Sequence, residues 1–195
     1  MQIAYNKSKR TDKILYIVIH DTGNKNKGAD ANAHFKYFNS ADRQSSADIF
    51  VDDKVALRVN DYNKFYTWHC GDGKGKNGIT NNNSVGVEIC INSDGDYNVA
   101  LENAVLCVKD LMKELNVPTE RVVRHFDASG KLCPASMSQN DWAVWKSFKE
   151  MLNESDADII KREAGLSDET MEYLKRYAYG NDLIKKLATA IKKRA

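Results

Sequence analysis

The sequence predicts an α/β domain with a central mixed β-sheet flanked by helices, followed by a small all-α C-terminal module. Three observations predict it. Apolar runs of strand length, such as KILYIVIHDT and SVGVEICI, alternate with stretches whose apolar residues keep helical spacing. The strand runs are apolar along most of their length, the pattern of strands covered on both faces. Past Asn153 the strand runs stop, and three short capped segments follow.

The elements follow in order. Ile14 to Ile19 reads as a buried strand that ends at His20. ADANAHFKYFN reads as a short helix with Ala31, His34, Phe35 and Phe38 sharing a face. ADIFVDD and KVALRVN read as two strands joined by a tight Asp-Asp turn. CGDGKGKNGITNNN has no periodicity and reads as a long Gly/Asn loop. SVGVEICI is a strongly apolar strand. Leu101, Ala104, Val105, Val108, Leu111, Met112 and Leu115 keep helical spacing, and Pro118 follows the stop. RVVRH is another short strand, with His125 at its end. DWAVWKSFKEML is a helix whose core positions are Trp142, Val144, Trp145 and Phe148. This places the first domain at residues 1–153.

Residues 156–195 read as three short helices, DADIIKREAG, SDETMEYLKRYAYG and NDLIKKLATAIKKRA. The first two end in glycine. Leu183, Ile184, Leu187, Ala188 and Ile191 form an apolar stripe on the third. A piece of this size is near the lower limit for folding alone. It is expected to pack on the first domain, pair with another copy, or dock on a partner.

Composition excludes several classes. The net charge is +2, so no strong field points to nucleic acid or an acidic lipid surface. No window approaches the roughly 20 apolar residues of a membrane span, so no membrane insertion is expected. MQIAYNKSKRTDK has no apolar h-region, so synthesis in the cytoplasm without a signal peptide is expected. There the four cysteines should be reduced. Cys90 and Cys107 sit in apolar runs and read as small buried hydrophobes. Cys70 fits either a buried or a functional role. Cys133, in a loop with Lys131 and Pro134, is the unusual one.

His20 and His125 both end strands, where a sheet presents functional groups to a crevice. Zinc accepts imidazole nitrogen and thiolate sulfur, and a catalytic site uses three protein ligands and leaves one position open. His20, His125 and Cys133 supply such a set. The same residues also allow a thiol nucleophile, Cys133, with His125 as its base. Glu88 lies between Val87 and Ile89, and burying a carboxylate there is costly without a partner. It reads either as half of a buried ion pair or as a general base beside a metal. Lys131 reads as a solvated charge or as a cation for an oxyanion.

Six separated motifs then agree in order and spacing with one known family. They are YIVIHDTGN with GADANAHFKYFN, SSADIFVDDKVALRV, TWHCGDGKG, ITNNNSVGVEICINSDGDY and VVRHFDASGKLCP. Together they resemble the zinc-dependent N-acetylmuramoyl-L-alanine amidases of the phage-lysozyme and peptidoglycan-recognition-protein type, over Ile14 to Trp145. Within that family the sequence is most similar to endolysins of phages and prophages of Gram-positive bacteria. The resemblance implies that His20, His125 and Cys133 hold one zinc ion per chain. It implies that Glu88 activates the attacking water and that Lys131 steadies the oxyanion. It also places Trp68 and His69 along the substrate groove. The chain departs from the family pattern at Asp48, where a histidine is usual, and at Ile49, where an aromatic residue is usual.

The implied reaction cleaves the amide between the lactyl group of N-acetylmuramic acid and L-alanine of the peptidoglycan stem. The implied setting is release from the host cytoplasm through a holin-type pore, with action on the wall outside the membrane. The helical tail would then target the wall or self-associate. A non-catalytic peptidoglycan-binding module is the competing class, but such relatives typically lack the cysteine ligand. A cytoplasmic wall-recycling amidase is a further alternative; those relatives tend to carry aspartate at the third ligand and no helical tail.

Overall fold

The computed structural model describes residues 2–192. The chain divides into two compact units, Met1–Leu152 and Asn153–Ala195. Residues 193–195, the end of the expected third helix, lie outside the described residues.

The first unit is built on a five-stranded sheet. Its strands are β2 (Tyr16–Asp21), β3 (Ile49–Val51), β4 (Ala56–Arg58), β6 (Ser84–Ile89) and β7 (Val122–Arg124), in the order β4-β3-β6-β2-β7. The β3–β6, β6–β2 and β2–β7 pairs are parallel, and only β4 runs antiparallel, as the hairpin partner of β3. A separate ribbon pairs β1 (Lys7–Lys9) with β5 (Phe65–Thr67). The sequence reading did not anticipate this ribbon, because neither strand is apolar enough to stand out. Arg10 fastens it: its guanidinium donates to the backbone carbonyls of Tyr62, Asn82 and Ser84.

The central strands are β-branched and buried on both faces. Ile17, Ile19, Val85, Val87 and Ile89 join one core with α2 (Tyr97–Leu115) and α4 (Gln139–Asn153), through Ala104, Val108, Leu111, Trp145 and Phe148. Asp96 caps α2, its carboxylate accepting from the Asn98 and Val99 N–H groups, and Asn116 ends the helix in a left-handed conformation. On the hairpin side, α1 (Ala31–Ser40) packs Ala31, Phe35 and Phe38 against Ala47 and Phe50. Asp52 ties hairpin and helix together. Its carboxylate accepts from Lys54 and Val55 across the Asp-Asp turn and from the Ala31 N–H.

Four expectations shift in detail. The first central strand runs to Asp21, so His20 lies inside it rather than past its end. His125 does not close β7. It opens a short helix, α3 (His125–Ser129), because Asp127 accepts from the Arg124 N–H and guanidinium and starts the turn. Val144 is exposed (36%); Trp145 and Phe148 face the core instead. The long Gly/Asn loop is not featureless: it contains two 3-10 turns, Gly71–Gly73 and Lys76–Gly78.

The second unit contains α5 (Asp156–Glu163), α6 (Asp168–Arg176) and α7 (Gly180–Lys192). Ser155 and Ser167 cap the first two. Ile160, Met171, Ile184 and Ala188 make its own small core. No helix among the described residues is long and apolar enough to cross a membrane.

Candidate metal centre

The parallel register of β2 and β6 sets His20 directly opposite Glu88. The segment Val122–Pro134 brings up the rest. After β7 and α3, Gly130 takes a left-handed conformation (φ 89°) and its N–H returns to the Phe126 carbonyl. The chain doubles back, and the Phe126 N–H donates to the Cys133 carbonyl at 2.9 Å. That reversal carries Cys133 to His125, although eight residues separate them.

One ligand atom from each of His20, His125 and Cys133 lies within 4.8 Å of the others, and all three residues are buried. His20 Nδ1 is 3.7 Å from Cys133 Sγ and 3.9 Å from Glu88 Oε1. The two imidazole rings are 4.6 Å apart, centroid to centroid. His125 Nδ1 is buried with no hydrogen-bond partner, as is Glu88 Oε2. Buried polar atoms are normally paired. Two orphans at the edge of one donor cluster therefore mark a place built for something else.

The remaining ring nitrogens are held from behind. His125 Nε2 is 2.7 Å from Asp72 Oδ1. His20 Nε2 is 3.1 Å from His69 Nδ1, and His69 Nε2 is 3.2 Å from Ser84 Oγ. The protons along this second chain can be assigned. The Ser84 hydroxyl donates to the Thr80 carbonyl at 2.5 Å, so its proton is committed. Ser84 Oγ must then accept from His69 Nε2–H. That leaves His69 Nδ1 bare, so it accepts from His20 Nε2–H. His20 Nδ1 is therefore the lone-pair nitrogen, and it is the one that faces Cys133 and Glu88. Outer hydrogen bonds that orient a ligand imidazole in this way are a general feature of metal sites.

The electrostatics agree with a cation site. Burial, helped by the neighbouring His69, His125 and Lys131, drives His20 well below the usual histidine range, so its imidazole is neutral. Burial pushes the Cys133 thiol up to about 12, with Glu88 adding to the shift; the Asp21 backbone N–H opposes it. Burial pushes the Glu88 carboxyl up to about 8, with Asp21 adding and Lys131 opposing. Each anionic form here calls for positive charge, and a thiolate ligand acquires it from a metal. The residues present thus fit a His₂Cys cation site.

The other predicted residues fall in different places. Lys131 is exposed on the returning loop, and its charge acts on His20, Glu88, Asp72 and Cys133, which sets it beside the cluster. Trp68 is exposed, with its Nε1–H donating to Ser8 Oγ across the ribbon. His69 turns its ring toward His20. It is 8% exposed, because both ring nitrogens are engaged with His20 and Ser84 and its ring lies over Gly86. Cys70 packs with Val18, Ile79 and Ala128 as a buried thiol. Asp48 is fully buried: its carboxylate accepts from the Gly86 N–H at 2.8 Å and from Asn60 Nδ2 at 2.7 Å. Ile49 is in the core. Both replacements of the family's usual residues are therefore structural in this chain.

Sequence reasoning missed Asp72 and Ser84. Asp72 had a usable signal: it is the carboxylate of CGDG, and Gly73 beside it leaves no room for a Cβ, which would sit 2.0 Å from the Ala128 carbonyl oxygen on α3. That close approach presses Asp72 onto His125. Beside Glu88 a cleft of about 480 Å³ opens, lined by Thr22, Lys27, His34, Phe38 and Phe50 among others.

Residues 10–136 match the family profile described as N-acetylmuramoyl-L-alanine amidase. Among curated relatives, N-acetylmuramoyl-L-alanine amidase CwlH of Bacillus subtilis (strain 168) is 40% identical over 141 residues, covering 72% of this chain and 54% of CwlH. The chain thus spans about half the length of that relative. Among solved structures, the catalytic domain of XlyA superimposes with a TM-score of 0.67 at 38% identity, covering 75% of this chain and 91% of that one. A mutant endolysin from Bacillus subtilis gives 0.67 at 35% identity, covering 77% and 99%. With the profile spanning most of the first unit and the fold shared across these structures, the chain belongs to the N-acetylmuramoyl-L-alanine amidase family.

Proposed function

We propose that this chain is an endolysin-type peptidoglycan hydrolase. It would cleave the amide between the lactyl group of N-acetylmuramic acid and L-alanine of the stem peptide. The observation that carries the reading is the buried His20–His125–Cys133 cluster, with its ligand atoms within 4.8 Å, in a chain of the amidase family.

One zinc ion per chain would be held by His20 Nδ1, His125 Nδ1 and Cys133 Sγ, where it supplies Lewis-acid polarisation of the amide carbonyl and acidifies water to a pKa of about 7. The protein's own groups do the rest. His69 and Asp72 hold the two imidazoles in the required tautomer and orientation. Glu88 takes the proton of the attacking water and passes it to the departing L-alanine amine. Lys131 places its positive charge beside the oxyanion of the tetrahedral intermediate. The low-dielectric surroundings of Glu88 strengthen both effects.

A thiol mechanism has less support. Cys133 Sγ lies against His20 Nδ1, the imidazole that the His69 relay holds neutral, and the buried thiol stays protonated without a cation.

Peptidoglycan is then the partner, met outside the membrane after release from the producing cell through a holin-type pore. The helical unit is a wall-targeting or self-associating module. It exposes Tyr173, Tyr177 and Tyr179 and carries nine Lys/Arg against seven Asp/Glu from Asp156 onward.

Product analysis on purified peptidoglycan tests the reading. The expected products are new L-alanine amino termini, no new reducing sugar ends, and zinc dependence. New reducing ends, or cleavage inside the stem peptide, would overturn it.

A further inference from the structure

The cleft beside Glu88 contains two more buried polar atoms without partners: His34 Nε2 and Thr22 Oγ1. His34 is more than nine-tenths buried, at 8% exposure. It sits on α1 with its ring packed against Phe38 and Phe50 at interplanar angles of 25° and 16°, and those two rings also stack on each other. Its one hydrogen bond goes to the Ala29 backbone carbonyl, so with Nε2 unpartnered the bonded nitrogen is Nδ1. Burial lowers its pKa, so the ring is neutral at physiological pH. His34 Nε2 is then a fixed, bare acceptor. Thr22 lies two residues past His20, just beyond the end of β2, and its hydroxyl can donate.

Phenylalanine at position 34 would keep the aromatic packing and lose only the bond to the Ala29 carbonyl. Leaving buried polar atoms unsatisfied costs stability. Such a cost persists where a ligand repays it. An acceptor and a donor on two residues that line one cleft match the two polar groups of a secondary amide, an N–H and a C=O.

We propose that His34 and Thr22 form an amide receptor in the cleft: His34 Nε2 accepts a substrate N–H, and the Thr22 hydroxyl donates to the carbonyl. Both are positioning residues, and they rest on the amidase reading. The substrate offers this chemistry from two sources, the first peptide bond of the stem and the acetamido group of the muramic acid.

The test uses the zinc-loaded full chain and a soluble N-acetylmuramoyl-peptide. His34→Phe keeps the ring in its stack and removes the acceptor. Thr22→Val removes the hydroxyl at equal size. His34→Gln restores an acceptor. Phe and Val should each raise KM about three- to ten-fold, the worth of a hydrogen bond lost in a binding site, with kcat within about two-fold. Gln should recover most of the loss. The melting temperature of His34→Phe should stay close to that of the parent, since the variant loses the bond to Ala29 and an unpaired polar group together. Unchanged KM in both Phe and Val variants would overturn the receptor, as would a KM change accompanied by a lower melting temperature that Gln does not rescue.

Two substrate analogues identify the source. If the His34→Phe effect vanishes with a de-N-acetylated sugar, the acetamido group is the ligand. If it vanishes with an N-methylated stem amide, the peptide is. Either result supports the receptor, and an effect that persists through both analogues overturns it. If the unmodified protein cleaves no muropeptide, the functional reading fails separately. Calorimetric binding of the same compound to parent and His34→Phe then decides the receptor alone, with equal affinities counting against it.

Discussion

The His69 ring lies directly over Gly86: a Cβ built on that glycine would come within 2.7 Å of His69 Cγ. The same ring accepts from His20 Nε2 at 3.1 Å. A missing side chain on β6 therefore decides how a candidate metal ligand on β2 is oriented. Gly86→Ala should displace His69 and lower zinc affinity by about 10- to 100-fold, the range for a lost outer hydrogen bond. Ser84→Ala, at the far end of the relay, should lower affinity in the same direction without the clash. Competition against a chromogenic chelator measures both. Unaltered zinc affinity in the two variants would remove the relay from the account.

Lys131 and Glu88 should separate from the ligands in their phenotype. Lys131→Ala and Glu88→Gln should retain stoichiometric zinc while kcat falls by about 10²- to 10⁴-fold for Glu88 and by about 10²- to 10³-fold for Lys131. Cys133→Ser should lose zinc. Metal analysis beside turnover on a soluble muropeptide distinguishes the classes. Zinc loss from Lys131→Ala would mean that it supports the ligands instead of the chemistry.

Metal removal should do more than stop turnover. The ligand atoms of His20, His125 and Cys133 lie within 4.8 Å of one another only in the folded chain, so an ion held there would bind the folded chain preferentially. Zinc at 100 times its Kd adds about 2.7 kcal/mol to unfolding. Chelation should therefore lower the melting temperature of the first unfolding transition, and zinc should restore it. Identical melting curves with and without zinc would argue against a site at this cluster.

Asp48 should be a stability residue. Its two carboxylate oxygens accept from Gly86 N–H and Asn60 Nδ2 in a fully buried setting. Asn at this position presents an NH₂ to one of those donors, so Asp48→Asn should cost about 1–3 kcal/mol. Zinc affinity should follow only as far as Gly86 moves. Chemical denaturation reads the first quantity. A neutral outcome would mean that the site relaxes around the amide.

Removing residues 156–195 should leave cleavage of a soluble muropeptide unchanged. It should weaken pelleting with purified walls, or lower the molecular mass in solution. Which of the two changes assigns the module, and loss of soluble-substrate turnover would show that the first unit needs it.

Much of the site was legible in the sequence. A histidine closing an apolar run, a carboxylate inside another, and a His-x₇-Cys loop are each visible as residue types in the wrong surroundings. Strand alternation also put Glu88 and Gly86 on one face. Those signals are local, because they depend on nearest neighbours along the chain. The order of the strands, the opposition of His20 and Glu88, and the pairing of Asp72 with His125 are not local. His69 shows the difference most plainly. The family resemblance placed it along the substrate groove; the space over Gly86 and the committed proton of Ser84 direct its ring toward His20. By itself the sequence determined which groups were available and which strands would be buried, since burial follows hydrophobic patterning. Only the tertiary structure decided which nitrogen of each imidazole is free. That choice is made by hydrogen bonds between residues 49 and 53 positions apart, and nothing in the chain between them encodes it.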